Sequence, residues 1–223
     1  MEPRSKSEEI KKIALAHGFE LVGVASAGDP ALPGAISRYA KWIAGGYNAS
    51  MEYLQRHASF KANPAALLPG TRSIVCVALS YGTQETSVSD AGVSLYARGR
   101  DYHVVLSEKL HTICTEVTAK FGGSQRFFVD TQPVMERFWA WRAGLGWIGK
   151  NSLLIHRKQG SYLFLGGFLT TLDLQPDEPY TEHCGRCTKC IDACPTDAIL
   201  PSREINAGLC IAYHTIENKG DVP

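Results

Sequence analysis

The chain is 223 residues long, with 44% hydrophobic and 20% charged residues, a composition that supports a buried core and excludes a disordered or fibrous polypeptide. Its formal net charge of +1 gives no whole-molecule attraction for nucleic acid, leaving only a local basic patch as an electrostatic route to it. The opening Met1-Glu-Pro-Arg-Ser-Lys-Ser-Glu-Glu9 holds no apolar signal core, and no stretch approaches the about 18 apolar residues of a membrane span. The expectation is a cytoplasmic protein with no membrane segment.

In chain order, Ser7 to His17 is predicted as a first helix, with Ser7 as its cap, Ile10, Ile13, Ala14 and Leu15 on its apolar face and Gly18 ending it. Phe19 to Ala25 is predicted as a strand, Pro33 to Gly45 as a helix, and Ser73 to Tyr81 as a buried strand of β-branched and apolar residues. Val104 to Phe121 places Val105, Leu106, Leu110, Ile113 and Val117 at helical spacing. Arg126 to Asp130 is predicted as a strand, Val134 to Gly144 as a helix, and Ser152–Ile155 with Tyr162–Thr170 as the two strands of a hairpin. Strands alternating with helices indicate an α/β sheet domain over residues 1–175. The proline- and acid-rich Asp173 to Thr181 reads as a linker to a second unit, residues 176–223.

Three polar segments stand out from this scaffold. Tyr96-Ala-Arg-Gly-Arg-Asp-Tyr-His103 precedes a helix; Arg98 and Arg100 suit bidentate contact with phosphates, and the same composition also suits a solvated loop. Asp130 ends an apolar strand, where an α/β sheet places its ligands. A carboxylic acid with an upward-shifted pKa and a simple helix cap are both open readings there. Ala143-Gly-Leu-Gly-Trp-Ile-Gly-Lys-Asn-Ser152 carries a lysine in a glycine-rich loop, but it fails the G-x4-G-K-[ST] pattern and so argues against a nucleotide triphosphatase. Its open readings are backbone amides turned toward a large ligand with Trp147 as a flat wall, or a tight turn around a core tryptophan.

Five of the seven cysteines crowd the C-terminal end. Cys184-Gly-Arg-Cys187-Thr-Lys-Cys190-Ile-Asp-Ala-Cys194-Pro195 is the C-x2-C-x2-C-x3-C-P run of bacterial iron–sulfur proteins, whose fourth thiolate ligates a second cluster. Structural zinc, the rival metal, usually takes separated Cys pairs. Cys76 and Cys114, in apolar surroundings, are expected to be inert core thiols. The sequence describes a redox protein.

Taken with Val129-Asp-Thr-Gln-Pro-Val-Met-Glu-Arg137 and Cys210-Ile-Ala-Tyr-His-Thr-Ile-Glu217, these segments resemble epoxyqueuosine reductase, in the same order and over residues 8–218. The resemblance implies an α/β cobalamin-binding domain followed by a ferredoxin-like module with two [4Fe–4S] clusters. It implies that Asp130 donates a proton beside the corrin. Arg98, His103 and the loop bearing Trp147, Lys150, Asn151 and Ser152 would surround the corrin, with Tyr53, Leu154 and Leu165 as further contacts. Cys184, Cys187, Cys190, Cys194 and Cys210 would be iron ligands, five of the eight thiolates that two clusters take, so the sequence is expected to be a C-terminally shortened member. The implied substrate is tRNA carrying epoxyqueuosine, reduced by a monomer fed by a low-potential electron donor. A cobalamin-dependent reductive dehalogenase and a plain ferredoxin-type carrier are the alternatives. The first of these families usually carries an export signal, and the second leaves the α/β part without a task.

Overall fold

In a computed structural model, which describes residues 2–82, 92–181 and 183–222, the main sheet has four strands in the order β1-β2-β6-β3. These are β1 (Leu21–Ser26), β2 (Ser73–Ser80), β3 (Gln125–Phe128) and β6 (Leu163–Thr170). Every pairing is antiparallel. Helices α1 (Pro3–Ala16) and α5 (Tyr102–Phe121) cover one face, α2 (Leu32–Ala44) and α6 (Glu136–Arg142) cover the other, and the short α3 (Glu52–Arg56) and α4 (Ala58–Ala62) lie in the connection from α2 to β2. Strand β2 has no polar face because it is buried on both sides. Val75 and Val77 join Ile10, Leu106, Leu110, Ile113 and Phe168 on one side, while Ile74, Cys76 and Ala78 join Phe138, Trp139 and Leu169 on the other. The period of two in the strand thus feeds two separate cores. Gly23 of β1 permits the second: a Cβ there would lie 1.9 Å from the Ala143 carbonyl oxygen.

The α/β alternation expected from sequence is present, with differences that have local causes. Helix α1 begins at Pro3, a residue suited to a first turn because its missing N–H needs no partner. Ser7 is therefore not its cap. It is buried inside the helix and donates to the carbonyls of Pro3 (3.0 Å) and Gln175 (3.1 Å). The predicted hairpin does not form. Leu154–Ile155 (β5) pairs instead with Trp147–Ile148 (β4), and β6 enters the main sheet between β2 and β3. Only a His156–Gly160 bridge remains of the hairpin. Gly146 makes the β4–β5 approach possible, since a Cβ there would meet the Ile155 carbonyl at 2.4 Å.

The expected linker is a strap rather than a loose connection. Asp177 and Val24 exchange backbone and side-chain hydrogen bonds at 2.8 Å, and Asp177 also pairs with Lys11. This occupies the edge of β1, which would otherwise expose unpaired backbone groups. Leu172 and Leu174 are buried in the α1/α5 core.

Beyond the strap, residues 183–222 form short turns, with α7 (Lys189–Asp192) the only α-helix among the described residues there. They dock by hydrogen bonds. The Trp42 indole donates to the Ile205 carbonyl (2.7 Å), the Ala207 amide donates to the Tyr47 carbonyl (2.9 Å), and the Ser50 and Tyr213 hydroxyls lie 2.6 Å apart. Among the described residues no helix is long and apolar enough to cross a membrane.

Candidate active site and cluster ligands

The start of α5 and the loop after β3 build the first half of the site. Asp101 caps α5 by accepting from the His103 amide at 2.9 Å, so the helix begins earlier than predicted, and Tyr102 and His103 fall in its first turn. From there His103 bridges two carboxylates: Nδ1 lies 2.8 Å from Asp101 Oδ1 and Nε2 lies 3.1 Å from Asp130 Oδ2. Partial burial works against the imidazolium, but the hydrogen bonds to Asp130 and Asp101 outweigh it and raise the His103 pKa above the ordinary histidine value. Tyr102 adjoins them; burial first, and then the Asp130 carboxylate, push its phenol far up.

Asp130 lies just beyond the end of β3 in this antiparallel sheet, with its backbone in the left-handed region at φ 49°. It is not the cap of α6, whose N-cap is Met135, and its side chain is 57% exposed. The carboxyl on which burial acts is Glu136, at the first position of α6, which is pushed up to about 7. Glu136 Oε1 accepts the Asp130 amide at 2.7 Å. Lys61, whose burial lowers its pKa, donates to the Val134 carbonyl at 3.3 Å and closes the loop from the other side.

An aromatic row leads away from Asp130. The His103 ring stacks on Tyr102 (4.0 Å between centroids), Tyr102 on Phe164 (4.3 Å, 6°), and Phe164 meets Tyr81, which meets Tyr162 edge-on. Such a row of flat, half-buried rings beside a polar cluster fits a large planar ligand with polar substituents, the character of a corrin. Tyr53 belongs to the same neighbourhood. Burial, with Glu217 and Asp130 nearby, raises its phenol to about 12, and its hydroxyl donates to Glu217 Oε1 at 3.3 Å.

The other proposed corrin contacts divide. Arg98 is exposed, and its guanidinium donates to the Val93 carbonyl (2.8 and 3.0 Å), while Arg100 pairs with Glu108. Leu154 is buried in the second core and Leu165 packs against it. Asn151 accepts from the Leu153 amide, and Ser152, at φ 61°, donates to the Arg203 carbonyl (3.0 Å). Trp147 and Lys150 face the cysteine unit: the indole donates to Cys184 Sγ at 3.4 Å and the ammonium to the Cys187 carbonyl at 2.9 Å. The glycine-rich loop is therefore a seat for the cysteine unit.

All seven cysteines are free thiols. Cys76 and Cys114 are buried, and burial pushes both thiols up, Cys114 to about 12, as inert core thiols require. Cys184, Cys190, Cys194 and Cys210 are partly exposed and Cys187 is exposed. Backbone N–H groups of Thr196, Ala198 and Ile199 point at Cys194 Sγ and lower its pKa, favouring thiolate. N–H donors aimed at two of the five sulfurs are the partners that iron-bound thiolates take, so these residues fit cluster ligation. Among the described residues no three acidic, His or Cys side chains converge as ligands of a single ion.

The residues that sequence reading gave no role are Asp101, Tyr102, Glu136 and Lys61. Two signals were legible: Asp101 stands where a helix cap is wanted, and Glu136 opens a helix next to a proline turn.

An α/β domain with a His–carboxylate cluster, joined to a thiolate unit with N–H donors, defines the class as an iron–sulfur protein. Residues 183–223 match a 4Fe-4S double cluster binding domain, and residues 61–131 match the family described as epoxyqueuosine reductase QueG, DUF1730. The chain is 46% identical to an epoxyqueuosine reductase of Gloeobacter violaceus (95% of this chain, 66% of that protein) and 41% identical to one of Leadbetterella byssophila (99% and 72%). It belongs to the epoxyqueuosine reductase family. A crystal structure of an epoxyqueuosine reductase with an epoxyqueuosine-modified tRNA-Tyr stem loop superposes with TM-score 0.84 at 31% identity, over 97% of this chain and 58% of that one. A Bacillus subtilis structure, described as having its catalytic aspartate loop swung out of the active site, gives 0.83 at 31% identity over the same shares of the two chains. The chain thus spans about two thirds or less of several of these proteins. The catabolic reductive dehalogenase NpRdhA, at TM-score 0.61 and 18% identity, shares the fold.

Proposed function

We propose that this chain carries the reductive centre of an epoxyqueuosine reductase acting on tRNA. Residues 1–175 bind cobalamin, and residues 176–223 contribute thiolates to two [4Fe–4S] clusters. The reaction opens the epoxide of the modified base to an alkene, consuming two electrons and two protons and releasing water. The observation that carries this reading is the Asp101–His103–Asp130 chain at one end of the aromatic row, in a protein of this family. When bound, cobalamin supplies the strongly reducing centre and the clusters supply its low-potential electrons.

The protein's own residues handle orientation and protons. Asp130, exposed in its loop, presents Oδ2 to the epoxide oxygen, takes the Nε2 proton of protonated His103 and gives that proton up as the carbon–oxygen bond breaks. Asp101 holds the imidazole so that Nε2 points at Asp130. The relative whose catalytic aspartate loop swings out supports Asp130 as the counterpart of that group. Trp147 and Lys150 seat the cysteine unit on the α/β domain. Turnover of tRNA and reduced thiolates both suit the cytoplasm.

Asp130→Asn tests the reading. It keeps the size of the side chain and removes the proton. In the complete reductase, cobalamin absorption and tRNA affinity should be unchanged, while conversion of epoxyqueuosine, read by mass spectrometry of tRNA nucleosides, falls about 10²–10⁴-fold. Unaltered turnover would remove Asp130 from the mechanism.

A further inference from the structure

A proton donor must be held as well as charged, and the loop that holds Asp130 has little backbone support. Beyond β3 the chain makes two tight reversals, the Thr131 amide bonding to the Val129 carbonyl and the Val134 amide to the Gln132 carbonyl. Asp130 is the central residue of the first, at φ 49°, a conformation that is unfavourable for a residue with a Cβ and persists where the surroundings impose it. The Asp130 amide finds its acceptor six residues on, in Glu136 Oε1 at 2.7 Å. Glu136 is itself fixed at the start of α6, whose following residues Phe138, Trp139 and Ala140 are buried in the second core.

We infer that Glu136 is the positioning residue for Asp130: its carboxylate grips the Asp130 amide, ties the strained loop to the rigid helix α6, and sets how firmly the proton donor is aimed. The inference rests on the reading of Asp130 as the donor. It adds a pH dependence, because a carboxylate accepts a stronger hydrogen bond from N–H than a carboxylic acid does. Burial pushes the Glu136 carboxyl up to about 7 and Asp130 repels its charge, while the bond from the Asp130 amide, Arg137 and Lys61 favour its ionised form; Tyr102 and Cys76 also lie close to it. The grip is therefore tightest above pH 7 and slackens below it. His103, the other titrating neighbour of Asp130, acts on the side chain rather than the amide.

The test has two arms. In the chain itself, with no cofactor, the Asp130 amide proton is followed by ¹H–¹⁵N NMR across pH 5.5–8.5. The expected result is a shift with its midpoint near the about 7 of Glu136, abolished in Glu136→Gln and retained in His103→Asn. Glu136→Ala should also expose the Asp130 amide to solvent exchange about tenfold faster, the effect of losing one hydrogen bond of ordinary strength. In the complete reductase, Glu136→Ala should lower kcat with KM for tRNA unchanged, and Glu136→Gln, which keeps the fold and an acceptor oxygen, should flatten the pH–rate limb near neutrality. An Asp130 amide that titrates identically in Glu136→Gln, or a pH–rate profile that variant leaves unaltered, would overturn the inference. If instead Asp130→Asn turns over normally while the NMR arm holds, the donor assignment is what fails, and Glu136 remains an anchor of the loop.

Discussion

The sheet domain and the cysteine unit reach order by opposite means. Around β2 and β6, apolar side chains are buried on both faces of the sheet; His103 stands on α5, which that packing fixes, and Asp130 lies in the loop between β3 and α6, which it also fixes. In residues 183–222 the buried apolar side chains are Ala198, Ala207 and Tyr213, and the unit is tied to the sheet domain by hydrogen bonds that involve Trp42, Tyr47, Ser50, Tyr53, Trp147, Lys150 and Ser152. A hydrophobic core needs only the sequence, whereas a thiolate unit draws much of its order from the metal it binds. The part proposed to handle protons is thus prebuilt by packing, whereas the thiolate unit is expected to depend on the iron it binds.

The largest effect that would sharpen this contrast is in the core. Trp139 is 1% exposed between α6 and the sheet, and Trp139→Ala should cost about 3–5 kcal/mol in denaturant unfolding of the sheet domain. A loss under about 1 kcal/mol would show that the sheet is not organised by this packing. Next comes iron removal. Chelation of the reconstituted protein should open residues 183–222 to proteolysis while the main melting transition survives. Loss of both together would make the two regions one cooperative unit.

The smallest effect is on stability against pH. The folded pKa of Glu136, about 7, lies above its ordinary 4.5, so its contribution is fully present below pH 4.5 and is lost as pH rises through 7. Wild type should therefore lose melting temperature relative to Glu136→Gln between pH 5 and pH 8, by about 2–4 °C for each kcal/mol at this chain length. His103, also raised, loses stability in the same direction, but it does so in both proteins and cancels in the comparison. A constant difference across that range would place the Glu136 titration elsewhere.

The sequence by itself determined the elements and the chemistry. The spacing of Leu106, Leu110, Ile113 and Val117 specifies a helix with one apolar face, the run Ser73–Leu79 specifies a strand buried on both sides, and the C-x2-C-x2-C-x3-C-P spacing specifies iron ligation, because each depends on side chains close together along the chain. Asp130 was legible from its place after an apolar strand, and His103 through the family resemblance. Tertiary structure alone decided which strands pair, so that β6 lies between β2 and β3 rather than folding back on β5. It alone decided that Asp177 straps the edge of β1, that Trp147 turns its indole toward Cys184, and that burial falls on Glu136 rather than Asp130. Those outcomes depend on which surfaces are excluded from water once distant segments meet, and local spacing carries no record of that exclusion.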